Sequence, residues 1–163
     1  MIHPYDLTVP QLTRMLRNLD GWLERAQGHG EQLLTARLAP DQWAFTRQVQ
    51  TACDNAKIMC ARATGKTAPS HPDTETTYEQ LRARIASVTE YLATFERGDF
   101  DGVHERSVRP SWLREGESMN ALDYLLQFAL PNFQFHIVTA YAILRHHGVQ
   151  LAKNDYLHPL VVA

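Results

Sequence analysis

The chain has 163 residues, 44% hydrophobic and 21% charged, with a formal net charge of -2. That length suits one ordinary domain with a sizeable core, and the slightly acidic balance gives no electrostatic reason to expect DNA, RNA or an anionic membrane as partner. No apolar run approaches the ~20 residues of a membrane span. Residues Met1 to Asp6 lack the basic segment and apolar run of a signal peptide, so the expected compartment is the cytoplasm.

Thr8-Val-Pro-Gln11 has the form of a capping box with Pro10 inside the first turn. Leu12, Met15, Leu16, Leu19, Trp22, Leu23 and Ala26 recur at helical spacing. This predicts a first helix from Thr8 to Gln27, ended by Gly28 and Gly30. Leu33, Leu34 and Leu38 in the next connection are expected to cover one end of the bundle. A second helix is predicted from Trp43 to Thr64, stopping at Gly65. Its apolar stripe is Phe45, Val49, Ala52, Cys53, Ala56, Met59 and Cys60, and Gln50, Asp54 and Lys57 form an adjacent polar stripe. The two cysteines, Cys53 and Cys60, are about 10 Å apart by helical rise. That is too far for a disulfide, and they read as small buried hydrophobes.

Residues 65 to 75 form a turn-rich loop. Thr76-Thr-Tyr-Glu79 reads as a second capping box, opening a third helix that runs to Arg97 and closes at Gly98. Leu81, Ile85, Val88, Leu92 and Phe95 are its inward residues. Residues 99 to 117 are irregular, a length that is often functional or interfacial in a compact domain. Arg106, Arg109 and Arg114 surround Trp112, a pattern that can bind an anion or a nucleic-acid strand. Glu105, Glu115 and Glu117 dilute that charge, so a solvated loop or dimer rim is the better reading. Ser118 is placed as the cap of a short helix from Asn120 to Ala129, and Pro131 then forces a kink or restart. The last long helix ends at His147-Gly148, and the tail from Val149 to Ala163 is expected to fold back on the body. No strand alternation of useful length occurs. Four long amphipathic segments and one short piece describe an all-α four-helix bundle with a short extra helix before the last one.

Asn132 and His136 lie one turn apart on the last helix, where a bundle would build an inward metal or polar site. Asp54, Gln50 and Lys57 are expected to face them from the second helix. Three arrangements fit. In a buried network, Asp54 accepts from His136, Gln50 and Asn132 satisfy each other, and Lys57 neutralises the carboxylate. In the others these groups hold a divalent metal or line a small-molecule pocket. His136 beside Asp54 would make a general-base dyad, while Cys53 points ~100° away around the helix. Arg145 is either a salt-bridge donor or an anchor in the pocket. His146 and His147, at the helix C-terminus, read as surface residues. The apolar excess between Tyr124 and Phe135 hints at self-association.

The stretches LPNFQFHIVTAYAILRHHG, FTRQVQTACDNAK and YLLQFALPNF together resemble the DinB/YfiT-like superfamily, over nearly the whole chain. The resemblance implies an up-down-down-up bundle, frequently dimeric, with a divalent metal held by three histidines. One comes from the second helix and two, four residues apart, from the last. It also implies activities such as thiol transfer or hydrolysis of small molecules in some members. His136, Arg145 and Gly148 fit the end of that pattern. Asn132 stands where the first histidine of the pair would be, and the second-helix ligand falls near Gln50 or Asp54. With two of three histidines replaced, the expected centre is degenerate: zinc, nickel or manganese could be held only by His136, Asp54 and Asn132. The expected function is small-molecule binding by Gln50, Asp54, Lys57, Asn132, His136 and Arg145. The alternatives are a hydrolase or transferase with His136 and Asp54 as catalytic residues, and a structural homodimer.

Overall fold

The computed structural model describes residues 2–160. A short helix α1 (Pro4–Leu7) leads into α2 (Val9–Ala26). Three further long helices follow: α3 (Phe45–Thr64), α4 (Tyr78–Leu92) and α6 (Leu130–His146). Both α2 and α3 pack against α4 and α6, so the four helices enclose one core. The periodic apolar residues of the sequence fill it: Leu12, Leu16, Leu19, Phe45, Val49, Met59, Leu81, Val88, Phe133 and Ile137 are all fully buried. Removing each such side chain from water contributes about 1.5–3 kcal/mol for the larger aliphatic and aromatic groups. Cys53 and Cys60 are buried in the same stripe and free, and burial pushes the Cys53 thiol up to about 12, which leaves it unreactive.

Several boundaries differ from the sequence expectation, each for a local reason. Thr8 does not cap α2; its hydroxyl donates to the Pro4 carbonyl at 2.8 Å and closes α1 instead. The second capping box sits one residue later than expected, between Thr77 and Gln80. Helix α4 stops at Leu92 rather than Arg97, because the Thr94 and Phe95 amides bond three residues back and the Thr94 hydroxyl takes the Tyr91 carbonyl at 2.7 Å. Phe95 still turns into the core. Leu33 and Leu34 are buried, whereas Leu38 is exposed and forms no part of the cover.

The 99–117 segment contains short 3₁₀ turns and a two-residue antiparallel pairing of β1 (Ser107–Val108) with β2 (Met119–Asn120). Pairing this short leaves no alternation to read. Arg106 donates to the carbonyls of Ala63, Asp99 and Asp101 at 2.9–3.1 Å, fastening the segment to the end of α3. The cap of the next helix is Asn120, not Ser118; its side chain accepts from the Leu122 and Asp123 amides. From there α5 (Ala121–Asp123) passes into a π-helical segment, Tyr124–Ala129, and directly into α6. The wider turn, with the Leu130 amide bonded to the Leu125 carbonyl, is the form taken by the disturbance expected at Pro131. A proline lacks the N–H for that ladder and its ring crowds the carbonyl four residues back.

Gly148, at φ +86°, ends the helix run after His147. The tail folds back as expected through α7 (Lys153–Leu157), with Tyr156 stacked on Trp22 and its carbonyl accepting from Asn18 at 2.9 Å. Residues 161–163 of that tail lie outside the described residues.

Candidate functional site

The hydrophilic side chains of α3 divide between two neighbours. Gln48 and Asp54 are six residues apart, about 120° around a helix. One therefore faces α6 and the other α4, and the apolar stripe of Val49, Ala56 and Cys60 fills the wider arc, about 240°, between them.

On the α6 side, Gln48 and His136 are both buried. The Gln48 amide nitrogen donates to the Trp43 carbonyl at 3.1 Å. A carbonyl only accepts, so the orientation of the amide is set and its oxygen faces His136 Nδ1 at 2.7 Å. Nδ1 therefore carries the proton, and Nε2 keeps a free lone pair. Burial, with a smaller contribution from the positive Arg47, pushes the imidazole down to about 4, so the ring is neutral at physiological pH. Trp43 stacks nearly parallel to the ring at 5.6 Å and Phe135 meets it edge-on at 5.3 Å. These groups, with Asp41, Gln42 and Asn132, line an open pocket of about 320 Å³. Trp43 and Phe135 remain half exposed at its rim.

On the α4 side, Arg84 is the centre. Its guanidinium, 1% exposed, meets Asp54 at 2.7 Å, Asp73 at 3.0 Å and Glu75 at 2.9 Å. Burial works against charge on Arg84, but the Glu75 hydrogen bond and the Asp54 carboxylate outweigh it and raise its affinity for the proton. Burial likewise opposes ionisation of Asp73 and Glu75, and the hydrogen bonds from Arg47 and Arg84 respectively hold both carboxyls below the usual range. Gln50 donates to Glu75 at 2.9 Å. Lys57 pairs with Asp54 at 2.8 Å and reaches His71 Nδ1 at 2.8 Å, while His71 Nε2 meets the Ser87 hydroxyl at 2.9 Å. The Ser87–His71–Lys57–Asp54 chain has the spacing of a nucleophile relay, but its polarity is reversed. Lys57 donates to Nδ1, so Nε2 carries a proton and donates to Ser87 instead of accepting from it. The cluster clamps the 65–77 connection to α3 and α4.

The expected groups are therefore not brought together as one centre. Asn132 and His136 share the pocket, as their spacing predicted. Asp54 bonds to Arg84 and Lys57 and makes no hydrogen bond to His136, so the expected dyad is not formed; Gln48 takes the place given to Asp54. Lys57 neutralises Asp54, as the network arrangement required, but Gln50 serves Glu75 rather than Asn132. Arg145 lies nine residues beyond His136, about 14 Å along the helix, and donates to the Leu151 carbonyl of the tail. Asp41, Gln42, Trp43, Gln48 and Phe135 also line the pocket and were not among the expected site residues. The available signal was a glutamine three residues after Phe45 and four before Ala52, a core position of α3 occupied by an amide.

A three-histidine metal does not suit this pocket. The pocket offers one imidazole (His136), one carboxylate (Asp41) and amides, and the Asp54 carboxylate is held by two cations. Among the described residues no three histidine, cysteine, aspartate or glutamate side chains converge.

Such a molecule, a helical bundle with an open pocket of polar and aromatic side chains beside its last helix, has relatives of known structure. A family described as "Domain of unknown function (DUF1993)" matches residues 4–157. The crystal structure of a DinB family member protein from Shewanella denitrificans is 43% identical, with a TM-score of 0.92 over 98% of this chain and 94% of that one. No curated protein matches. The chain belongs to the DUF1993 family and is DinB-like in fold. No helix among the described residues is long and apolar enough to cross a membrane.

Proposed function

We propose that this chain binds a small molecule in the pocket formed by Trp43, Gln48, Asn132, Phe135 and His136, at the degenerate remnant of a metal centre. The observation that carries this reading is His136 Nε2. It is an acceptor with no hydrogen-bond partner among the described residues, on a buried neutral ring held in one tautomer by Gln48 and flanked by two half-exposed aromatic rings. A group positioned so firmly, with its free atom unspent, suits recognition of a ligand N–H or O–H. The same lone pair would serve as a general base if the bound molecule were also a substrate. The Asp54–Arg84 cluster acts as the clamp for the neighbouring loop and takes no part in binding.

The test is a thermal-shift screen of metabolites against the parent protein, His136→Ala and Trp43→Ala. The expected hit raises the melting temperature of the parent and of Arg145→Ala, and loses its effect in both pocket variants. A hit that survives both pocket substitutions, or a stoichiometric transition metal in protein purified without a histidine tag, would sink this reading.

A second element of the proposal is a homodimer built on α6 and the π-helical segment that leads into it. Leu126, Phe135 and Val138 are large apolar residues exposed at 45–56%, more than a solvated helix needs to present. Light scattering is expected to give a dimer for the parent and a monomer for Val138→Glu, which leaves the pocket untouched. A parent that is monomeric at high concentration removes the dimer.

A further inference from the structure

From Tyr124 to Leu144 the chain carries no aspartate, glutamate, lysine or arginine, and the one histidine of that run is buried and neutral. The run is helical from end to end, through the π-helical turns and α6. Its core side needs no charge, but one side stays in water. Asp123, Gln127, Pro131, Phe135, Val138 and Arg145 are exposed and Ala142 is half-buried. They follow one another at spacings of three or four, which marks a single stripe. The first charges on either side of the uncharged run are the two ends of that stripe, Asp123 and Arg145. Asp123 accepts from the Gln127 amide at 3.1 Å and Arg145 donates to the Leu151 carbonyl. Neither meets an opposite charge among the described residues. Both stand equally far in sequence from Gln134, about 16 Å to each side along a helix. The stripe therefore has a negative end, a positive end and an apolar middle, and turned end for end it complements itself.

Resting on the homodimer reading above, we propose that two copies pair this helix antiparallel about a twofold axis at Gln134, so that Asp123 of each copy meets the partner's Arg145. A twofold contact uses the same patch on both copies and so requires this self-complementarity. A parallel pairing would set Asp123 against the partner's Asp123 and Arg145 against the partner's Arg145. In the antiparallel one, Val138 falls opposite the partner's Leu130 and Ala142 opposite the partner's Leu126. Phe135, 56% exposed in the single chain, lies beside the axis, where an aromatic anchor contributes most. All three exposed large apolar residues of the segment are covered by this one register.

The test is the dissociation constant of the full-length dimer, read by analytical ultracentrifugation over a dilution series. Asp123→Arg alone and Arg145→Asp alone each bring like charges together at both ends and are expected to weaken the dimer roughly tenfold. The double variant restores opposite charges and is expected to return to within about twofold of the parent. Single variants that leave the dimer unchanged, as a parallel pairing requires, or a double variant weaker than either single one, overturn the register and leave the homodimer standing. A monomeric parent removes both. Oxidative cross-linking reads the register without altering any charge. Cys53 and Cys60 are buried, so the added thiol alone reports. Gln134→Cys, at the axis, is expected to form an interchain disulfide, and His146→Cys, far from it, to stay reduced. A Gln134→Cys chain that stays reduced, or a His146→Cys chain that links, overturns the register.

Discussion

Arg84→Ala is expected to cost about 3 kcal/mol, seen as a fall in melting temperature of roughly 6–12 °C for a chain of this length. Arg84 is buried and meets three carboxylates. Asp54 retains the counter-charge of Lys57 and Asp73 that of Arg47, but Glu75, 11% exposed, keeps hydrogen bonds from Gln50 and the backbone and loses its counter-charge. The figure stands at the low end for a broken buried pair because Asp54 and Asp73 are 27% and 37% exposed and recover some hydration. Arg82→Ala is the matched control. Arg82 meets Asp20 with two bonds, but both side chains are about one-third exposed, so its loss should stay within about 1 kcal/mol. If the two variants melt together, the Arg84 cluster is ornamental. Loss of the clamp should also expose the 65–77 connection to proteases well before global unfolding.

The second large effect is in the pH dependence. His136 titrates at about 4 in the folded protein and near 6.5 when unfolded. Between those values the unfolded chain binds the extra proton, so stability falls as pH falls; above 6.5 and below about 4 the two states bind equally and the slope disappears. The full interval corresponds to about 3 kcal/mol, and the part from pH 6.5 to 5 to about 2 kcal/mol. His71 contributes with the same sign: its affinity for a proton is lowered first by burial and then by Lys57 and Arg84. Asp73 and Glu75 behave differently in range. Their contribution is complete above the unfolded carboxylate values of 3.8 and 4.5 and disappears as pH drops through their depressed folded values. The window from 6.5 to 5 therefore belongs to the histidines. Urea titrations across it should show a markedly flatter profile for His136→Gln than for the parent. An identical slope would mean that the ring is not held neutral by its burial.

Much of the bundle was legible in the sequence because burial imposes a period. Leu12 through Ala26, Phe45 through Cys60 and Leu81 through Leu92 each mark one helix face, and those faces make the core. Glycine past the last turn gave the ends at Gly65 and Gly148, where positive φ removes the choice of most other residues. The ends that failed are those decided by side-chain competition for backbone groups, as at Thr8 and Thr94, where several bonding patterns have similar energy.

The candidate site was only half legible. The spacing of Asn132 and His136 on one helix is fixed by sequence alone, and both reach the pocket. Their partner from α3 was not fixed, since a polar stripe at 50, 54 and 57 and a single glutamine at 48 are equally compatible with a helix. Which one meets α6 depends on how α3 is rotated about its axis, and that rotation is set by the packing of four helices at once. The sequence by itself determined the four long helices, the periodic residues that leave water and the placing of Asn132 and His136 one turn apart on the last of them. Only the tertiary structure decided that Asp54 belongs to Arg84 and Gln48 to His136, because helix rotation is a property of the assembled core and is written in no one segment.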